Sequence, residues 1–241
     1  MKNCIFFSDL PLILVGGGQV GRTDFSTAQT VAKHCVAADG GAAAALAAGM
    51  MPEAVIGDLD SVPAATLEQI PRDRIHHIAE QDSTDFDKAL RNIDAPLILA
   101  IGFCGGRIDH QLAVFHTLTV RCDSPVIVIG EEDIVFLCPP RLNLDTDAGL
   151  RVSLFPMGSV TGRSEGLQWP IDGLQFAPGL RSGTSNRATG PVRLETDDPF
   201  MLCLLPREAL GMVAAALLRP EQQRARWPAR AERYKDLPPS L

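Results

Sequence analysis

Leu97-Ile98-Leu99-Ala100-Ile101-Gly102-Phe103-Cys104-Gly105-Gly106-Arg107-Ile108-Asp109-His110 carries the fold in miniature. Five apolar residues in a row leave no polar face, so a strand here must be covered on both sides. The glycines that follow turn the chain into a segment with Ile108, Leu112, Phe115 and Leu118 or Thr119 at helical spacing. A strand buried on both faces and followed by a helix is the repeating unit of a parallel sheet. Outward from this stretch, similar runs stand at Leu12 to Val15, Cys35 to Ala38, Ala54 to Ile56, Arg74 to Ile78 and Val126 to Ile129. Between them, Ala42 to Ala48 is an alanine helix with Gly49 as its stop. Phe86, Ala89, Leu90 and Ile93 form one buried helix face, with Asp82 as its expected N-cap. After Pro139-Pro140 the texture changes to short strand-like runs (Arg151 to Phe155, Val192 to Glu195, Phe200 to Leu205) between Gly, Pro, Ser and Asn clusters. The expected fold class is α/β. A mostly parallel, Rossmann-like domain over residues 1–140 is followed by an antiparallel β-sandwich over 141–206 and a helical, Arg/Pro-rich extension over 207–241.

Composition narrows the function. Of 241 residues, 46% are hydrophobic and 21% charged, which suits a globular protein with an ample core. Lys and Arg number 22 against 29 Asp and Glu, and the net charge of −7 has the wrong sign for coating nucleic acid or an anionic membrane. The apolar start, Ile5-Phe6-Phe7, is broken by Ser8 and Asp9 before it reaches the length of a signal sequence, and no run is long enough to span a bilayer. Six cysteines without a C-x-x-C pair write neither a zinc site nor a dithiol motif. A cytoplasmic protein with reduced thiols is expected.

Five constellations carry chemistry. Gly16-Gly17-Gly18-Gln19-Val20-Gly21 follows a strand and has the G-x-G-x-x-G form of a dinucleotide loop, with Asp39 placed as a ribose-binding acid; a glycine-dependent turn explains the same residues. Gly57-Asp58-Leu59-Asp60-Ser61 also follows a strand, and extended alternation puts both aspartates on one side, where a hard cation such as Mg²⁺ would relieve their repulsion. The rival there is a helix cap built on Ser61 ahead of Pro63. Asp82-Ser83-Thr84-Asp85-Phe86-Asp87-Lys88 aligns Asp82, Asp85 and Lys88 at three-residue spacing, more acid than capping needs, and fit for a metal with phosphates beside a lysine. Gly105-Gly106-Arg107 at a helix start offers backbone N–H groups and a guanidinium fork to phosphate. Trp169, in a loop-like setting beside Pro170, suits either stacking or a sandwich core.

Read together, these residues describe a Mg²⁺-dependent enzyme acting on a nucleotide polyphosphate. Asp39-Gly40-Gly41, Gly57 to Ser61, Asp82 to Lys88, Gly105 to His110, and Gly166-Leu167-Gln168-Trp169 with Ser185-Asn186 occur in the order and spacing of thiamine pyrophosphokinases, and the sequence resembles that family over about residues 11 to 205. The resemblance implies pyrophosphate transfer from ATP to thiamine, giving thiamine diphosphate and AMP, in a homodimer whose active sites are shared between subunits. It implies that Asp58, Asp60, Asp82 and Asp85 hold Mg²⁺, with Lys88 and Thr84 on phosphate or hydroxyl. Asp39, Gly40, Gly41, Gly106, Arg107, Asp109 and His110 would lie along ATP. Trp169, Ser185 and Asn186 would hold the thiamine pyrimidine from the partner subunit. Gln168 stands where many members have lysine, Phe103-Cys104 replaces a small residue and threonine, and residues 207–241 have no counterpart. The competing expectations are an NAD(P)-dependent oxidoreductase built on Gly16 to Gly21 and a nucleotide sensor without turnover.

Overall fold

The structure is a computed structural model that describes residues 4–80 and 82–228. Its centre is Leu12–Val15 (β1), all four residues with no exposed surface. To one side lie His34–Ala38 (β2), Val55–Gly57 (β3) and Ile75–His77 (β4); to the other, Ile98–Ile101 (β5) and Val126–Ile129 (β6), all parallel. Every expected strand of this half forms, within a residue or two of its expected bounds.

Alternation explains why these runs are apolar throughout. Ile13, Val15, Leu99, Ile101, Ile127 and Ile129 point to one face, where the helices Asp24–Ala28 (α1), Gly41–Ala47 (α2) and, far along the chain, Leu210–Leu218 (α6) cover them. Leu12, Leu14, Ile98, Ala100, Val126 and Val128 point to the other, against Asp85–Asn92 (α4) and Ile108–Val120 (α5). A short helix, Ala64–Leu67 (α3), follows β3. Each fully buried Leu, Ile or Val contributes about 1.5–3 kcal/mol against exposure.

The sheet does not stop at residue 140. Asp133–Leu137 (β7) pairs antiparallel with β6, and the order continues through Met201–Pro206 (β12), Arg151–Pro156 (β9), Thr184–Thr196 (β11) and Arg141–Leu144 (β8), with Gly162–Leu167 (β10) also on β11. The 12 strands form one connected sheet, and one apolar cluster spans Ile13 to Leu217. The long β11 joins the two parts of the antiparallel half: its first residues pair with β9 and its last with β8 and β10.

One expectation about the helices is corrected. The face of α5 buries Val114, Thr117 and Leu118, whereas Ile108 and Leu112 are 75% and 58% exposed, because the first turn projects past the carboxyl edge of the sheet. The Arg/Pro-rich stretch after Arg219 is tied to the sheet as far as it is described. Pro220–Arg224 (α7) leads to Trp227, whose Nε1 donates to the Cys138 carbonyl at 2.8 Å, while Gln223 and Arg226 donate to the Pro96 carbonyl. This strap lies at the amino edge of the sheet, opposite the carboxyl ends of β1 to β3. Residues 229–241 of the expected extension lie outside the described residues. Among the described residues, no helix is long and apolar enough to cross a membrane.

Candidate active site

Strand order decides where a ligand can enter. The chain runs outward from β1 through β2, β3 and β4 on one side and returns on the other side with β5, so the loops after β1 and β5 part at the carboxyl edge. A crevice of about 640 Å³ lies there. It is lined by Gly17, Gly18, Asp39, Gly40, Asp58, Asp60, Thr84, Asp85, Lys88, Phe103 and His110, so most of the expected α/β motifs converge on one place.

Asp39 ends β2 with φ 46, and Leu59 sits between Asp58 and Asp60 with φ 64. The expected extended alternation is therefore absent. A left-handed turn at Leu59 brings the two aspartates to the same side, with the Asp60 N–H 3.4 Å from Asp58 Oδ1. Ser61 caps no helix: α3 begins after Pro63, and the Ser61 hydroxyl donates to Asp60 at 2.9 Å. Carboxylate oxygens of Asp39, Asp58 and Asp60 all lie within 4.8 Å of one another. Asp39 is 3% exposed and its Oδ1 is buried with no hydrogen-bond partner. Three hard oxygen donors, one of them buried and unsatisfied, match what a small divalent cation requires.

Lys88, on α4, is 1% exposed, and its ammonium donates to Asp58 at 2.6 Å and to Asp85 at 3.3 Å. Burial works against its charge, yet the two carboxylates outweigh burial and raise its pKa. The Lys88 hydrogen bond holds Asp58 below the usual carboxylate range, whereas burial, reinforced by the charge of Asp39, pushes Asp85 up. Two aspartates flanking one lysine thus have opposite tendencies.

The N-cap of α4 is Thr84, whose hydroxyl accepts from the Asp87 N–H, and not Asp82. Asp82 lies before the helix, exposed and outside the crevice lining; its N–H donates to Glu80, which also accepts from Ser83 and Arg91. The expected row of Asp82, Asp85 and Lys88 on one helix face is therefore not formed. Arg107 is the N-cap residue of α5 and pairs with Asp109, which it draws down to about 2; both are exposed and stand outside the lining, as does Gly106. His110 alone of that motif lines the crevice. Gly41 has a steric role, since a side chain there would strike the Val15 carbonyl.

The antiparallel half presents Trp169 55% exposed and not among the residues that line the crevice. Asn186, 2% exposed, donates to the Trp169 carbonyl at 2.6 Å and accepts from the Trp169 N–H at 3.1 Å, so its amide fixes the tryptophan. Ser185 is exposed beside it on β11.

In the glycine loop after β1, the N–H groups of the three motif glycines are all engaged within the chain. Gly16 N–H donates to the Ile101 carbonyl, Gly18 N–H to the Gly102 carbonyl, and Gly21 N–H to Asp24 at 2.7 Å. Asp24 is further tied to Arg207 at 2.7 Å, and α1 is only five residues long. Phe103, missed as a site residue, lines the crevice; its signal was an aromatic residue inside a glycine-rich strand-to-helix loop.

The chain is similar in sequence and in fold to known proteins. Residues 25–129 match the family model "Thiamin pyrophosphokinase, catalytic domain". Thiamine pyrophosphokinase 3 of Oryza sativa subsp. japonica is 28% identical over 154 residues, covering 56% of this chain and 58% of that protein. Thiamine pyrophosphokinase 2 of Arabidopsis thaliana is 26% identical over 180 residues, 67% of each. The chain thus spans somewhat over half the length of the first curated relative. Among solved structures, the thiamin pyrophosphokinase of Geobacillus thermodenitrificans superposes with a TM-score of 0.67 at 24% identity, over 82% of this chain and 97% of that one. That of Candida albicans gives 0.69 at 16% identity, over 81% and 90%. Residues 25–129, which carry all of the crevice lining except Gly17 and Gly18, match the thiamin pyrophosphokinase catalytic-domain family, and about four-fifths of the chain shares the fold of these thiamin pyrophosphokinase structures.

Proposed function

We propose that this chain transfers pyrophosphate from ATP to the hydroxyl of thiamine, giving thiamine diphosphate and AMP, with Mg²⁺ and in the cytoplasm. The observation that carries the reading is the buried Lys88 between Asp58 and Asp85, beside a group of three carboxylates that includes an unsatisfied Asp39, inside the catalytic-domain match. Asp39, Asp58 and Asp60 would hold the cation, which supplies charge neutralisation to the phosphate oxygens.

The reaction is an in-line displacement: the thiamine oxygen bonds to the β-phosphorus, the α,β-bridging P–O bond breaks, and AMP leaves. Lys88 fixes Asp58 and Asp85 relative to each other, so little reorganisation is needed at the moment of transfer. Asp85, with its pKa pushed up, is the better placed of the two to take the hydroxyl proton. Thr84, His110 and Gly40 line the crevice and would lie along the nucleotide. Asp82, Arg107 and Asp109 reach it only if the segment before α4 and the start of α5 move inward on binding.

The exposed Trp169, held by Asn186 and outside the lining of its own crevice, supports a homodimer in which it serves the partner subunit's site. In that reading the antiparallel half is a sandwich module that supplies the thiamine ring contacts. Incubating the protein with Mg²⁺, ATP and thiamine and separating the nucleotides tests the proposal. AMP and thiamine diphosphate in equal amounts are expected; ADP would mean an ordinary kinase, and unchanged ATP a sensor.

A further inference from the structure

Phe103 has no part in the carboxylate chemistry, yet its ring is built into the crevice with unusual care. It lies half-buried on Phe86, ring centroids 4.6 Å apart and planes inclined by 51°. Phe86 is 2% exposed and anchored in the core through α4. Beside the ring, Gly16 must be glycine, because a Cβ there would come within 2.7 Å of both Phe103 Cε1 and the Gly102 carbonyl oxygen. Gly102 adopts φ +75, a conformation that suits glycine, and its carbonyl accepts from Gly18 N–H at 3.0 Å, which fixes the loop that carries the ring. Three constraints therefore hold a half-buried aromatic ring at the wall of a crevice whose other lining is mainly carboxylates, glycines and small polar groups.

A partly exposed ring that is braced from behind loses little freedom when a second ring stacks on it. Anionic neighbours add attraction for a ring that is cationic or carries N–H donors. We propose that Phe103 is the stacking platform for the planar heteroaromatic ring of a bound substrate, and so a specificity residue of this crevice. On the diphosphotransferase reading, which supplies the two sources, that ring is the adenine of ATP or the ring system of thiamine.

Phe103→Trp converts the platform into a reporter, with the wild-type protein, which retains Trp169 and Trp227, as the blank. Its fluorescence should be quenched by ATP or by thiamine, each titrated with Mg²⁺, and not by inorganic tripolyphosphate, which has the charge without the ring. Quenching by ATP assigns the adenine, and quenching by thiamine assigns the acceptor. Phe103→Ala should weaken binding of that ligand by about three- to tenfold, with tripolyphosphate binding unchanged. Phe103→Leu, which keeps apolar packing on Phe86, should show most of the same loss, and Phe103→Tyr should restore affinity; a merely structural role would not follow this order. Equal quenching by tripolyphosphate, or ATP and thiamine affinities within twofold of wild type in Phe103→Ala, overturns the platform. If no AMP forms but ring-selective quenching persists, the activity reading fails and the platform stands. If AMP forms without ring selectivity, the reverse holds.

Discussion

Asp58 and Asp85 both touch the Lys88 ammonium, and neutralising them should move stability in opposite directions. Asp58 is held below the usual carboxylate range, so the fold favours its charged form. Its side chain is 12% exposed and its bond to Lys88 is 2.6 Å. Asp58→Asn loses a charge-assisted hydrogen bond of about 1.5–3 kcal/mol, partly kept because the amide oxygen still accepts, so the cost is about 1–2 kcal/mol. At about 2–4 °C per kcal/mol for a chain of this size, the Tm falls by roughly 2–8 °C. Asp85 is pushed up, chiefly by burial, so the fold disfavours its charge above its own pKa. Its side chain is 42% exposed, and solvent screening holds the gain from Asp85→Asn to under about 1 kcal/mol, a rise of roughly 1–3 °C. The pH windows follow the same signs. The Asp58 contribution is complete above its unfolded pKa and lost as pH falls through its lowered folded value. The Asp85 contribution is complete below its unfolded pKa and lost as pH rises through its raised folded value. Calorimetry at pH 7 with a chelator gives the two Tm shifts, and AMP formation at saturating Mg²⁺ should fall by at least about a hundredfold in both variants. If Asp85→Asn loses as much Tm as Asp58→Asn, the electrostatic account of the crevice is wrong.

Three further outcomes are expected. Equilibrium titration with NAD and NADP should show no micromolar binding, since the Gly16, Gly18 and Gly21 N–H groups are already used; tight, Mg²⁺-independent binding would reverse that conclusion. Trp227→Ala removes an indole that donates to Cys138 and should cost about 2–4 kcal/mol, read as a Tm drop of roughly 5–15 °C, while kcat measured well below the transition stays near wild type. Asp85→Asn and Trp169→Ala homodimers should each be impaired, and co-refolding equal amounts should restore about a quarter of the sites; activity fixed at the parental average, with mixed dimers present, would place Trp169 outside the partner's site.

The parallel half was legible because its strands are apolar on both faces, a pattern with few alternatives, and β1, β5 and β6 follow it almost residue for residue. The residues of the crevice were legible as types, not as geometry. Asp58 and Asp60 converge through a left-handed Leu59, a conformation no side-chain alternation encodes. Asp39 joins them because β2 and β3 are neighbours, a tertiary fact. The register of Asp82 failed because Thr84, two residues later, competes for the same cap and wins. Ile108 and Leu112 have the spacing of a core face, but spacing cannot say that a helix starts beyond the sheet edge. The strap of residues 220–228 was hidden by composition: Arg226 and Gln223 look solvated, yet their side chains satisfy the Pro96 carbonyl at the sheet's amino edge.

Asp39 and Leu59 end or follow adjacent strands, and both hold backbone conformations that cost a non-glycine residue about 1–3 kcal/mol. Such strain persists only where the surroundings over-determine it. Here the Asp39 N–H donates to the Ile56 carbonyl at 3.0 Å, and Gly57 leaves room for Asp39, since a Cβ at that position would fall 2.8 Å from the Asp39 Cβ. The ladder between β2 and β3 therefore forces a buried carboxylate, one oxygen unsatisfied, toward two others that repel it. Nothing in the packing of β2 needs an acid at residue 39; alanine or glycine would meet the same neighbours at lower cost. Strain, desolvation and like-charge repulsion coincide at one strand end, and a bound cation relieves the last two together while leaving the carboxylates charged. The rigid, fully apolar strands behind the crevice are what allow so unfavourable an arrangement to persist in the folded state.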